Sequence, residues 1–573
     1  MLTGIRKIAT AFLLLSLASC GGGGGAEISA GQAASDSQTT ALTAPVARDD
    51  STTSLGNMTL TRAAGEGVLA NDTVNGSSLS TGSTSSEEGG RAEIQADGSY
   101  SYFPPAGFTG TDRFSYTLSN AAGASSATVT VTVSGLAYFV DNRSSTGGDG
   151  TEANPFSDIS KALAVATSGQ SIVLSVGDGT SRNQRGPLTL PQGVSLVGRL
   201  SLEEQVLGQG DPMPVVAGPV FLSNDSQIVG IHFEASAAQA VVGQAISNVR
   251  LEDNTFSNSA DQHIELSNVG GDVYVQGNEF SNHTSTQPYI SIDNDNTNSR
   301  LFVQANVIRD DQTNDPDDGV VVTTRGSSVT ELFLEDNLFQ STNALGAFRY
   351  AVEVSLRDST TTSMSVRRNQ FSQYGEGALF VSGLGLNFEA TSFDISQNEI
   401  SGGTFVGMQV TVPPLGPGVT ISENSLSEPG DFGIIVNSAP SFSGQAVIFG
   451  NTITSATQTG LSLNLESVDS GPSNEHFSFL VRGNSILSSS GLALQAFVFY
   501  GGELCLELVQ NIFDRSVFLA TLGGPENGEL VGVERLSSDD GGPLQTVNTF
   551  RDGADVQTQG AVESRPASFC SSP

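Results

Sequence analysis

The stretch "RDDQTNDPDDG" places Asp310, Asp311, Asp315, Asp317 and Asp318 within nine residues. Carboxylate oxygens at this density are the ligands a calcium ion takes, because a hard cation collects several oxygens in a forgiving geometry. Flanking segments add His283 and Tyr289 on one side and Arg349 and Tyr350 on the other. A guanidinium can meet the carboxylate of an acidic sugar, and a tyrosine ring can lie against a sugar face in a chain that has no Trp. The competing explanation is a solvated acidic loop in a chain that is acidic throughout, with a formal charge of −36. Which applies depends on whether the backbone brings these residues together.

The backbone carries a repeat. An Asn followed two positions later by Phe, Ile or Leu recurs at Asn254, Asn278, Asn306, Asn337, Asn369, Asn398, Asn424, Asn451, Asn484 and Asn511, at intervals of 24 to 33 residues. Such a period signals stacked repeats. The positions three and five before each Asn are all apolar, twenty out of twenty, where composition alone would give about seven, and the position between them is polar or variable. These are strands with one buried face. A second column of glycines (Gly319, Gly377, Gly407, Gly433, Gly460, Gly491), followed by apolar residues at alternate positions, marks a second strand, so each coil reads as strand, turn, strand, turn. The Asn ends a strand where the chain must turn; we expect it to adopt the left-handed conformation and to bond amide to amide with its counterparts in a structural ladder.

With this spacing as a ruler, three coils exceed the regular length. From Asn to the next strand the chain takes 9, 11, 13 and 14 residues, then 8, 9, 9, 9 and 7. The long members, "SNHTSTQPY", "RDDQTNDPDDG" and "QSTNALGAFRY", bulge on one edge and carry the residues named above. Long loops on a rigid scaffold are where binding surfaces are built. Tyr374 is a third candidate sugar platform beside Tyr289 and Tyr350, and the loop Glu466–His476 is a weaker second candidate.

The coil pattern resembles the pectin-lyase-like superfamily over about 430 residues. That resemblance implies an all-β chain whose main part is a right-handed parallel β-helix, with its ligand groove along one side. Polygalacturonase-like relatives use an Asn-Thr-Asp, paired-Asp and Gly-His-Gly set; it is not recognisable here, and His232, His263, His283 and His476 stand in no such context. Lyase-like relatives hold calcium on acids and use an arginine as base; no diagnostic motif marks that pattern here, Arg349 in the long-loop cluster is a candidate for the role, and fold by itself does not give function.

The remaining regions set the context. Residues 1–19, with Arg6, Lys7, an apolar run and then Leu17-Ala18-Ser19-Cys20, resemble a bacterial lipoprotein signal, which implies lipidation at Cys20 and an outer-membrane destination in a Gram-negative cell, on the periplasmic face or the cell surface. Residues 20–43 read as a Gly/Ser/Ala-rich tether with a reach of roughly 25–30 Å. Residues 44–134, with "DGSYSYFPPAGFTGTDRFSYTLSNAAG" and "ATVTVTV", resemble a bacterial Ig-like or cadherin-like sandwich acting as a spacer, in which Asp49, Asp50 and Asp72 are the acids to test for calcium. The β-helix then fills residues 135–573, opened by a capping helix at about 155–168 with Ile159, Ala162, Leu163 and Ala166 on one face. With Cys20 lipidated, Cys505 and Cys570 remain as an even pair in an oxidising compartment, and we expect a disulfide between them.

The charge argues against nucleic acid and anionic lipid surfaces as partners. Lys161 is the only lysine after Lys7, so no catalytic lysine lies elsewhere. The sequence therefore favours a lipid-anchored, non-enzymatic binding or adhesion module for polysaccharide or another surface ligand. The alternative is a calcium-dependent lyase of uronate polymers.

Overall fold

The computed structural model describes residues 42–145, 147–199, 212–234, 238–283, 285–310, 318–326, 330–341, 348–357, 362–384, 390–412, 418–438, 444–466, 476–487, 490–499, 503–522, 530–531, 548–550, 556–559 and 562–563. Nearly all of their regular structure is strand, as the alternating apolar pattern requires.

The N-terminal part is a β-sandwich. One sheet pairs Ser78–Leu79, Gly110–Asn120, Gly123–Val140 and Asp50–Gly56; the other orders Leu60–Arg62, Tyr100–Phe103, Arg91–Ile94 and Gly82–Ser85. Alternate residues of the predicted strands point inward, so Tyr100, Tyr102, Phe114, Tyr116, Val129 and Val131 form its core. Asp49 accepts from the Thr128 N–H, and Asp72 accepts from the Arg48 N–H and the Tyr116 hydroxyl. Among the described residues no group of three or more His, Cys, Asp or Glu could hold a metal ion.

From Ser171 onward the chain winds as a parallel β-solenoid whose longest sheet stacks 14 strands. Each coil has three faces. Sheet 1 runs from Ser171–Leu174 to Glu503–Val509 and contains the strands that end at the repeated Asn. Sheet 2 stacks short strands, such as Thr255–Ser257 and Glu279–Ser281, that begin one residue after it. Sheet 3 runs from Leu188–Thr189 to Val556–Gln559. The reading of two strands per coil is thus corrected to three: a strand of three residues is too short to show a period. Its central residue is the apolar one two after the Asn, and Phe233, Phe256 and Phe280 stack inside the solenoid with centroids 4.9 and 4.8 Å apart.

Left-handed backbone also falls elsewhere than expected. It belongs to the residue before the Asn, at Asp253, Gly277, Ala305, Asp336, Arg368, Gln397, Glu423, Gly450, Gly483 and Gln510. The nine of these turns from Asp253 to Gly483 are each fixed by a backbone bond to the coil above, for example from Gly277 N–H to Gln304 C=O at 3.0 Å.

The helix Ile159–Val165 is shorter than read. Asp158 caps it by accepting from the Ser160 N–H at 2.8 Å. Ile159, Ala162 and Ala166 join the solenoid core, and Leu163 packs against it.

Sandwich and solenoid share a strand. Gly123–Val140 pairs with Asp50–Gly56 through Val129–Leu136 and then with Ser171–Leu174 through Ala137–Val140. Ser134 and Gly135, where the sequence reading divides the domains, lie inside it. Leu55 and Met58 pack on Ala137, Phe139 and Val173 at this junction. Glu152 closes it: its N–H donates to Asn57 C=O, and its carboxylate accepts from the Thr59 N–H and pairs with Arg199.

Candidate functional site

The repeated Asn side chains form one continuous column. Asn278 Oδ1 accepts from both the N–H and the Nδ2 of Asn254, while Asn278 Nδ2 donates to Leu251 C=O and to Asn306 Oδ1. The same four contacts recur from coil to coil, and among the described residues the column runs as far as Asn548, whose Nδ2 donates to Leu508 C=O. Asn548 escapes the sequence pattern because Pro543 and Gln545 stand where the apolar pair should be. Every side-chain donor and acceptor is used in a fully buried amide, so the column is scaffold.

That scaffold sets the edge where the coils lengthen. In two of these coils the sheet 2 strand itself gains a residue, Val307–Asp310 and Leu338–Ser341. On sheet 3 beside them Ser291, Val321 and Glu353 stand in register on adjacent strands and face outward. Together with Gln262, Gln287, Asp318 and Arg349 they line a groove of about 420 Å³. Gln239, Gln262 and Gln287 form a second amide row along it, each Nε2 3.4 Å from the next Oε1.

Arg349 is the centre of charge in the groove. Its Nε and Nη2 donate to the two oxygens of Asp318 at 3.1 and 2.6 Å, and Nη2 also reaches Glu353 at 3.0 Å. These contacts use three of the five guanidinium N–H donors and leave those on Nη1 for a ligand. The Asp318 bond pushes the Arg349 pKa further up, so the group stays a cation. Burial raises the Glu353 carboxyl, with the Asp318 charge adding to it. Tyr350 donates its backbone N–H to Asp318 at 3.0 Å and stacks on Phe380; burial, aided by Glu376, pushes its hydroxyl up to about 12.

The structure thus brings Asp318, Arg349 and Tyr350 together. His283 and Tyr289 do not face the groove: both are 0 % exposed and pack with His263 inside the coil. Tyr374 is likewise buried, its hydroxyl donating to Pro429 C=O. Asp310 is 2 % exposed at the end of its strand. Asp311, Asp315 and Asp317 lie outside the described residues, as do Cys20, Cys570, the side chain of Cys505 and most of the loop before His476. The glutamine row was missed because single glutamines before strands have no distinctive spacing.

His263 is a buried imidazole whose two ring nitrogens have no hydrogen-bond partner. Burial and the neighbouring His283 hold its pKa well below the usual range, and the ring is neutral between Phe256, Phe280, His283 and Tyr289.

An Ig-like domain carrying a long β-solenoid with a polar lateral groove is the architecture of a surface or binding module. Comparison with protein families agrees on the parts: residues 42–134 match the bacterial Ig domain family, and residues 144–381 match a family described as a protein of unknown function, DUF1565. The Asn column continues beyond that second match for six more members, from Asn398 to Asn548. Comparison with curated proteins and with solved structures finds no significant match.

Proposed function

We propose that this chain is an exported, lipid-anchored binding protein of the outer membrane, in which the Ig-like domain carries a β-solenoid that holds polysaccharide along the sheet 3 groove. The observation that carries this reading is the groove itself. It lies where the coils lengthen, and amide and charged side chains converge there on a cation with donors to spare. Hydroxyl-rich ligands are recognised by such convergent polar groups on a rigid support.

Binding without turnover fits the electrostatics better than a lyase. An arginine acting as base must lose a proton, and two carboxylates beside Arg349 favour its charged form. Polygalacturonate and neutral polysaccharides, offered with and without calcium, separate the readings. Retained polymer with no unsaturated product in the ultraviolet supports binding, whereas product that disappears in Arg349→Ala makes the protein a lyase. Labelled palmitate incorporated by the wild type and lost in Cys20→Ala tests the anchor.

A further inference from the structure

The outer face of sheet 1 carries a second stack. Arg250, Tyr274, Phe302 and Phe333 stand in register on four successive strands. The Tyr274 and Phe302 rings are 4.5 Å apart, those of Phe302 and Phe333 4.9 Å, each pair 6° from parallel, and the Arg250 guanidinium lies 3.7 Å from the Tyr274 centroid. Rings stacked this way spend their faces on one another and show only edges to solvent.

The stack stops at Phe333. Its register partner on the next strand is Ser365, followed by Asp394 and Thr420. A serine cannot cover a phenyl face, and a depression of about 400 Å³ opens there. Phe333 forms one wall, and Arg367, Asp394 and Thr420 also line it. Arg367 pairs with Asp394, and both side chains keep part of their surface open, 40 % and 27 %. Glu335 is occupied by the Ser365 hydroxyl at 2.6 Å and by Arg368 at 3.2 Å.

We propose that this depression is a saccharide subsite, separate from the sheet 3 groove, that seats one ring of a neutral polysaccharide with its C–H face on Phe333 and its hydroxyls toward Arg367 and Asp394. A sugar ring pairs an apolar face with a rim of hydroxyls, which is what an open aromatic face beside a partly exposed ion pair complements. A purely apolar ligand would take water from the exposed part of that ion pair and return no hydrogen bond. An anionic one would meet Asp394 and Glu335 in a chain of net charge −36.

Calorimetric titration of the full mature chain with cellohexaose, xylohexaose and mannohexaose tests this. At least one should bind. Ser365→Phe, which extends the stack into the depression, should weaken that oligomer about tenfold or more with the melting temperature held or raised. Phe333→Leu, which keeps the apolar volume but removes the ring, should weaken it comparably. No binding by any of the three oligomers, or affinity retained in both sheet 1 variants, would overturn the proposal.

Discussion

Asn278 Nδ2 donates to Asn306 Oδ1 across 3.1 Å, and Asn306 Nδ2 passes the same bond to Asn337 at 3.0 Å. Each amide is both support and load for its neighbours. Removing one leaves buried polar groups on two other coils without partners, and each such group costs about 1–3 kcal/mol.

Asn278→Ala should therefore destabilise the chain by about 2–5 kcal/mol while ligand affinity stays unchanged in the molecules that remain folded. Asn278→Asp keeps the acceptors but forfeits both Nδ2 donors and buries a charge, so it should be worse. Denaturant unfolding of the pair, alongside binding, checks both points.

The turn beside that column makes the opposite kind of prediction. Ala305 sits at φ 55°, where a Cβ costs about 1–2 kcal/mol and glycine costs nothing sterically. Ala305→Gly should stabilise by about 0.5 kcal/mol once the extra chain entropy of glycine is subtracted. A measured loss would mean that the Ala305 methyl makes a packing contact worth more than the strain.

His263 gives the protein an acid sensitivity. Its folded pKa lies below the ordinary value near 6.5, so above that pH neither state binds its proton and stability is flat. As pH falls below about 6.5 the unfolded chain takes up the proton while the folded chain refuses it, and stability declines. His232 and His283 are shifted in the same direction and add to the slope. His263→Phe, which suits the Phe256 and Phe280 stack, should flatten part of that slope in melting curves between pH 7.5 and pH 5.

Arg349→Ala should abolish most polysaccharide retention at the sheet 3 groove and cost only about 1 kcal/mol of stability, because the guanidinium is substantially exposed and screened. Asp318→Ala should cost more. Its carboxylate is 10 % exposed and also holds the Tyr350 N–H. Comparing the two by calorimetry and retention separates the groove's binding role from its structural one.

How much of this was legible in sequence follows from what each position demands. The strand before each Asn and the Phe or Ile after it must be apolar because they meet a dry interior, so the coil spacing could be read. The left-handed residue before the Asn could not. Asp253, Ala305, Arg368 and Glu423 share that conformation without sharing chemistry, since backbone bonds to the next coil hold it. Loop length marks the edge that bears Asp318 and Arg349. It could not tell that His283 and Tyr289 turn inward, because a residue in an irregular segment has no period to say which way it faces. Tyr274, Phe302 and Phe333 occupy the variable position of sheet 1, where composition hides a stack that exists only between coils.

The strand Gly123–Val140 has a mechanical meaning. A pull on the solenoid reaches the Ig-like domain along one unbroken backbone, with the Asp50–Gly56 and Ser171–Leu174 ladders lying parallel to the line of force. Rows of hydrogen bonds loaded along their length must yield together rather than one at a time. The two halves therefore bear tension as one beam.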